Sequence, residues 1–198
     1  MLKKLIVTCL LLPFASVSVN AANIVLCNPT NTAINQMSIS ETEVNSCLAS
    51  GEGNINGNPK NLQQSKFLQS LAGAGYSLVS KSDDINPYSL SYHQDSQTAT
   101  LSEGTWTIDP SFWSSYSKGA IGFKFGTGNN PDEWFVFDLV HGISSGDWDF
   151  INRHPQGGEL SHMNLYGISE VPLPAAFPLF LSVLAMFGLY RRRQLKKA

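Results

Sequence analysis

The chain has 198 residues, 42% of them hydrophobic and 14% charged, with a formal net charge of −2 at pH 7. Seven of its 13 Lys and Arg stand at the two ends (Lys3, Lys4, Arg191, Arg192, Arg193, Lys196 and Lys197), so residues 22–170 keep six basic and all 15 acidic residues, a formal charge of −9. Such a body cannot neutralise phosphates, which argues against nucleic acid as a partner, and its self-repulsion favours solubility.

The chain opens as an export signal. Met1-Leu2-Lys3-Lys4 is a positive start, Leu5 to Ala15 is an apolar run too short to span a membrane, and Val19-Asn20-Ala21 sets small residues at the −3 and −1 positions of a cleavage site. Residues 1–21 therefore read as a secretory signal peptide, with Ala22 as the near alternative for the cut. The body that follows, 22–170, has the size of one domain with room for a real core. Cys9 leaves with the signal, and Cys27 and Cys47 remain as an even pair in an oxidising compartment. A disulfide between them is expected. Closing a loop of about 20 residues contributes about 3 kcal/mol on the chain-entropy view.

Asn23 to Cys27 reads as a first strand, stopped by Asn28-Pro29, and Gln36 to Ser40 as a weaker second. The Gly- and Asn-rich stretch from Ser50 to Asn58 reads as a loop. One short helix follows: Asn58 caps it, Pro59 takes its first position, Leu62, Phe67, Leu68 and Leu71 share a side, and Gly73 ends it. Tyr76 to Lys81 reads as a strand, and the polar stretch from Ser82 to Asp95, with Pro87 inside, as a loop. Beyond it come short strands at 98–101, 104–109, 120–125, 133–140, 147–151 and 161–166. Alternation is clearest where Ile121, Phe123 and Phe125 share one face, and where Phe135, Phe137 and Leu139 share another. Turn residues separate these strands, at 126–131, 142–146 and 155–158. The pattern predicts a mainly β domain, an antiparallel sandwich of jelly-roll-like kind with one short helix.

Chemistry-bearing residues are sparse. Trp106, Trp113, Trp134 and Trp148 fall in one window with seven interleaved Phe and Tyr. Most belong in a core, but an exposed ring suits the apolar face of a sugar. Trp134 should face away from Phe135 and Phe137, which makes it the first candidate for carbohydrate contact. Asp132, Glu133, Asp138, Asp147 and Asp149 crowd nearby. Oxygen ligands of this kind could hold Ca²⁺, although no spaced calcium loop appears, and no pair stands out as the two carboxylates of a glycosidase. His93, His141, His154 and His162 form no metal-ligand spacing, and neither a Gly-x-Ser-x-Gly elbow nor a phosphate-binding loop is present.

The last 28 residues carry the most specific signal. Val171-Pro172-Leu173-Pro174-Ala175-Ala176 is followed by an apolar run from Phe177 to Tyr190 and the basic block Arg191-Arg192-Arg193 within the tail 191–198. The prolines hold the preceding chain extended. A helix from Ala175 to Tyr190 rises only about 24 Å, against a hydrocarbon core of about 30 Å. The basic block keeps the C-terminus cytoplasmic. Such a short span suits a temporary anchor.

In kind and order these three parts resemble the PEP-CTERM sorting domain, in its VPLPA variant. Gly104-Thr105-Trp106, Lys124-Phe125-Gly126 and the stretch from Leu160 to Gly167 resemble, more loosely, the β-rich body found ahead of many such tails. The resemblance implies a substrate of an exosortase, a membrane-embedded cysteine transpeptidase-like enzyme of Gram-negative bacteria that make extracellular polysaccharide. It implies a secreted, inner-membrane-anchored precursor cut near 171–176 and released to the cell surface or extracellular matrix. There the protein acts as a non-enzymatic component in contact with exopolysaccharide, with no cofactor expected. The alternative is a secreted polysaccharide-modifying enzyme of glycoside hydrolase type.

Overall fold

A computed structural model of the chain describes residues 23–28, 35–55, 65–126, 128, 131–152 and 158–169. The expected signal peptide, the first half of the expected helix and the sorting tail 171–198 lie outside the described residues. Ten strands run through the described chain: β1 (Ile24–Cys27), β2 (Gln36–Ser40), β3 (Val44–Glu52), β4 (Ser77–Lys81), β5 (Ser91–Gln97), β6 (Leu101–Thr107), β7 (Lys118–Gly126), β8 (Glu133–Leu139), β9 (Ser145–Ile151) and β10 (Glu159–Ile168). A single helical turn, α1 (Phe112–Ser115), lies between β6 and β7. Every pairing is antiparallel. One sheet has the order β1-β2-β9-β6-β5 and the other β3-β8-β7-β10-β4. Two pairings nest, because β2 lies beside β9 in the first sheet and β3 beside β8 in the second.

Period-two alternation decides which faces meet. Met37, Ile39, Trp106, Trp148 and Phe150 turn inward from the first sheet, to meet Phe123, Phe125, Phe135, Phe137, Leu160, Met163 and Leu165 from the second. The two expected apolar faces of β7 and β8 are both part of this core, with Ile121 opposite Phe137 and Phe123 opposite Phe135. Across the sheets Phe125 and Phe150 stack with centroids 3.9 Å apart, and Trp148 packs on Phe125 at 5.4 Å. Three Trp are accommodated by one device. Trp148 stands opposite Gly104, Trp106 opposite Gly146 and Trp134 opposite Gly51. A Cβ at Gly104 would come within 2.6 Å of the Trp148 ring, and one at Gly51 within 2.7 Å of the Trp134 ring. The indole lies over the empty side of its partner, so strand pairing and Trp burial are compatible only with Gly there.

The Cys27–Cys47 disulfide is present, with Cα atoms 5.3 Å apart. It joins β1 of the first sheet to β3 of the second, and so clips the sandwich at one edge. The Ser50 hydroxyl, donating to the Asn28 carbonyl, adds a second link there.

Several local expectations are corrected. The described part of the expected helix, 65–73, is a series of turns with bonds from Ser70 N–H to the Phe67 carbonyl (2.9 Å) and from Gly73 N–H to the Ser70 carbonyl (3.2 Å). The Ser70 side chain competes with helical bonding, since its hydroxyl donates to the Phe67 carbonyl at 2.6 Å and accepts from Gly73 N–H at 3.1 Å. Its apolar residues do not form one stripe either: Phe67 is fully buried while Leu71 is 98% exposed. The helical turn occurs instead at α1, where Asp109 accepts from Ser111 N–H through its carboxylate (2.8 Å) and from Phe112 N–H through its carbonyl (3.0 Å). The expected loop from Ser50 begins with the last three residues of β3, and the expected loop from Ser82 to Asp95 holds most of β5. Of the two expected strands, 98–101 is a turn leading into β6, with Thr98 N–H donating to the Leu101 carbonyl at 2.7 Å, and 104–109 is the second half of β6, which ends at Thr107.

Candidate functional site

The outer faces of the two sheets differ. That of the second sheet is covered, because residues around 65–76 fold back over it. Phe67, Ile55, Ala120, Trp134, Val136 and Tyr166 form a second apolar cluster there, and Phe67 packs against the Tyr166 ring at 4.8 Å. Trp134 does face away from Phe135 and Phe137, but it is only 5% exposed. Its candidacy for carbohydrate contact is therefore corrected: a layer the sequence did not reveal turns the supposed outer ring into core. Trp106 and Trp148 are also buried, and Trp113 is half-buried with its indole N–H donating to the Ile143 carbonyl at 2.7 Å.

The acidic residues do not converge. Asp132 pairs with Lys124 at 2.7 Å, and Asp138 accepts from the Tyr76 hydroxyl (3.1 Å) and the Asn45 amide (3.0 Å). Glu133 is buried at the end of β8. Asp147 and Asp149 lie across from Thr105 and Glu103 on β6. Burial raises the Asp149 carboxyl above its usual range, and the neighbouring Glu103 and Asp147 charges add to this. Among the described residues no three His, Cys, Asp or Glu side chains gather as metal ligands would. His93 stands 3.6 Å from Asp95, and His141 packs on Trp113 with ring centroids 4.7 Å apart. His162 is buried beside Lys124 on the second sheet, and His154 lies outside the described residues.

Among the described residues a groove lies at the edge of the first sheet at β5, where it meets the start of β10. The pairing of β5 with β6 shifts between Gln94 and Ser96, so Asp95 is an extra, bulged residue. Side chains of β5 then reach across to the other sheet. The Tyr92 hydroxyl donates to the Leu160 carbonyl (3.0 Å), and Leu160 N–H donates to the Gln94 side-chain oxygen (3.2 Å). These two bonds hold the sheets together without closing the space beside them. Tyr92, Gln94, the bulged Asp95 and Ser96 face Glu159 and Leu160 across a groove of about 330 Å³. Burial pushes the Tyr92 hydroxyl upward, and the Asp83 and Glu159 carboxylates reinforce it. The groove therefore offers one fixed aromatic ring, one oriented amide and two carboxylates. Sequence reading missed all of them, because a short polar strand with half-buried Tyr92 and Gln94 alternating with Ser91 and His93 resembles a loop.

Compared with known proteins, the chain matches no family model, no curated protein and no solved structure. Among the described residues no helix is long and apolar enough to cross a membrane.

Proposed function

We propose that this chain is a secreted, non-enzymatic surface or extracellular-matrix protein, sorted and processed by an exosortase-like membrane enzyme and in contact with exopolysaccharide. The observation that carries this reading is the ordered C-terminal set of Val171 to Ala176, the apolar run 177–190 and Arg191 to Arg193, set opposite an N-terminal export signal. The Cys27–Cys47 disulfide supports it, since such bonds persist in oxidising compartments. In this reading residues 177–190 form a transmembrane helix that holds the precursor in the inner membrane of a Gram-negative bacterium. Cleavage within 171–176 then frees the jelly-roll-like domain for the cell surface or the matrix. The test is mass spectrometry of the C-terminus of the mature protein from its native host. A terminus within or near 171–176 supports the reading, and a mature protein that keeps residues 177–198 overturns it.

A further inference from the structure

We infer that the groove between β5 and the start of β10 is a binding site for a glycan segment that is rich in hydroxyls and free of acidic groups, and that it holds amine-bearing sugars best. The inference rests on the polysaccharide contact proposed above and assigns it a place and a chemistry. At about 330 Å³ the groove falls in the range of small-ligand sites. Tyr92 packs against the main core and lines the groove, and its hydroxyl is tied to the Leu160 carbonyl at 3.0 Å. A ring anchored in this way offers a flat apolar surface with little rotational freedom left to lose, which suits the apolar face of a pyranose. Gln94 accepts from Leu160 N–H at 3.2 Å, which orients its amide and leaves the NH₂ to donate. The carboxylates of Asp95 and Glu159 accept from hydroxyls or ammonium groups, and hydrogen bonds to a charged partner are the stronger kind.

Charge narrows the ligand further. Asp95 and Glu159 line the groove, and the Asp83 carboxylate acts on the same Tyr92 hydroxyl. The nearby Lys81 is occupied by Asp83 at 2.9 Å. A polyuronate would meet like charge here, on a body already at −9 between residues 22 and 170. An added peptide strand is disfavoured too, because the bulge at Asp95 interrupts the regular spacing that such pairing needs.

The test uses the full chain, titrated with three probes: a glucosamine oligomer, a neutral glucose oligomer and a polyuronate oligomer. Binding is followed by calorimetry and by backbone amide shifts. Saturable binding of the glucosamine oligomer is expected, weaker binding of the glucose oligomer, none of the polyuronate, and shifts centred on residues 92–97 and 159–160. The paired variant Asp95→Asn/Glu159→Gln, of unchanged shape, should weaken the glucosamine oligomer about tenfold and the glucose oligomer less, since only the former loses charge-assisted bonds. An unchanged melting temperature separates this loss from misfolding. The inference is overturned if the glucosamine oligomer does not saturate, if the shifts fall elsewhere, if the polyuronate binds as tightly, or if the paired variant binds as the wild type does. C-terminal processing is read separately in native cells. A processed chain that binds none of the probes overturns the groove alone. An unprocessed chain that binds them overturns the sorting reading and leaves the groove standing.

Discussion

At the scale of single residues, space and protons make the sharpest demands. A Cβ at Gly104 would overlap the His93 carbonyl and the Trp148 ring, whereas one at Gly126 would meet nothing closer than 3.9 Å. Gly104→Ala should therefore cost about 3 kcal/mol, the upper part of the overpacking range, while Gly126→Ala should change little; urea denaturation of the two variants checks this. One half-buried acid and one buried base set opposing pH dependences. Burial holds the Glu43 carboxyl up at about 7, against 4.5 ordinarily, with the Asp147 charge adding to the effect and the bond from Asp147 N–H opposing it. Between those values the folded chain holds a proton that the unfolded chain has released, so this group lowers stability as pH rises through that window. His162 behaves in the reverse sense. Burial first, and then Lys81 and Lys124, hold its imidazole down at about 4 against the usual 6.5, although Asp83 and Asp132 pull it upward. The unfolded chain takes up that proton first, so this group's contribution is lost as pH falls from 6.5 towards 4. The two slopes oppose each other between pH 4.5 and 6.5. Glu43→Gln should leave stability rising more steeply with pH than in the wild type, and His162→Gln should leave it falling more steeply. Urea midpoints taken at half-unit steps from pH 4 to pH 8 test both slopes, whatever the baseline stability of each variant; parallel curves for wild type and variants would sink the assignment.

At the scale of elements, the legible strands are those with a full apolar face. β7 and β8 declare themselves through Ile121, Phe123, Phe125, Phe135, Phe137 and Leu139, all buried. β3 and β5 stayed hidden because both are polar, bulged edge strands. The residues of β3 are Val-Asn-Ser-Cys-Leu-Ala-Ser-Gly-Glu, and its pairing with β8 shifts twice. Those of β5 are Ser-Tyr-His-Gln-Asp-Ser-Gln, with one bulge. Small, polar and bulged strands are what a protected sheet edge requires, and they carry almost no periodic signal. The disulfide acts at this same scale, because it joins edge strand β1 to edge strand β3. Replacing Cys27 and Cys47 together by Ala should lower stability by about 3 kcal/mol, read from the urea midpoint with wild type under reducing conditions as the matching control. Alkylation of the native chain without reductant should label neither thiol, and labelling of both would contradict the bond.

At the scale of the whole molecule, the proposed function sets an address at each end of one acidic body. If the tail is a processed signal, the prolines and the basic block act on different steps. Replacing Pro172 and Pro174 by Ala should leave insertion intact and block cleavage, because the chain ahead of the bond is no longer held extended. Full-length precursor should then accumulate in the membrane fraction of native cells, and equal mobility of wild type and variant would overturn this account. The expected export signal, the expected sorting tail, the charge of the body, the even cysteine pair and the β class were all read from local composition and period, which need no knowledge of what packs where. The third layer over Trp134, the Gly beneath each buried indole and the groove beside Tyr92 depended on contacts between residues distant in the chain. Gly51 meets Trp134 and Gln94 meets Leu160 only after ten strands have paired. Alternation along one strand tells which side a residue faces, and only the folded molecule decides whether that side is covered.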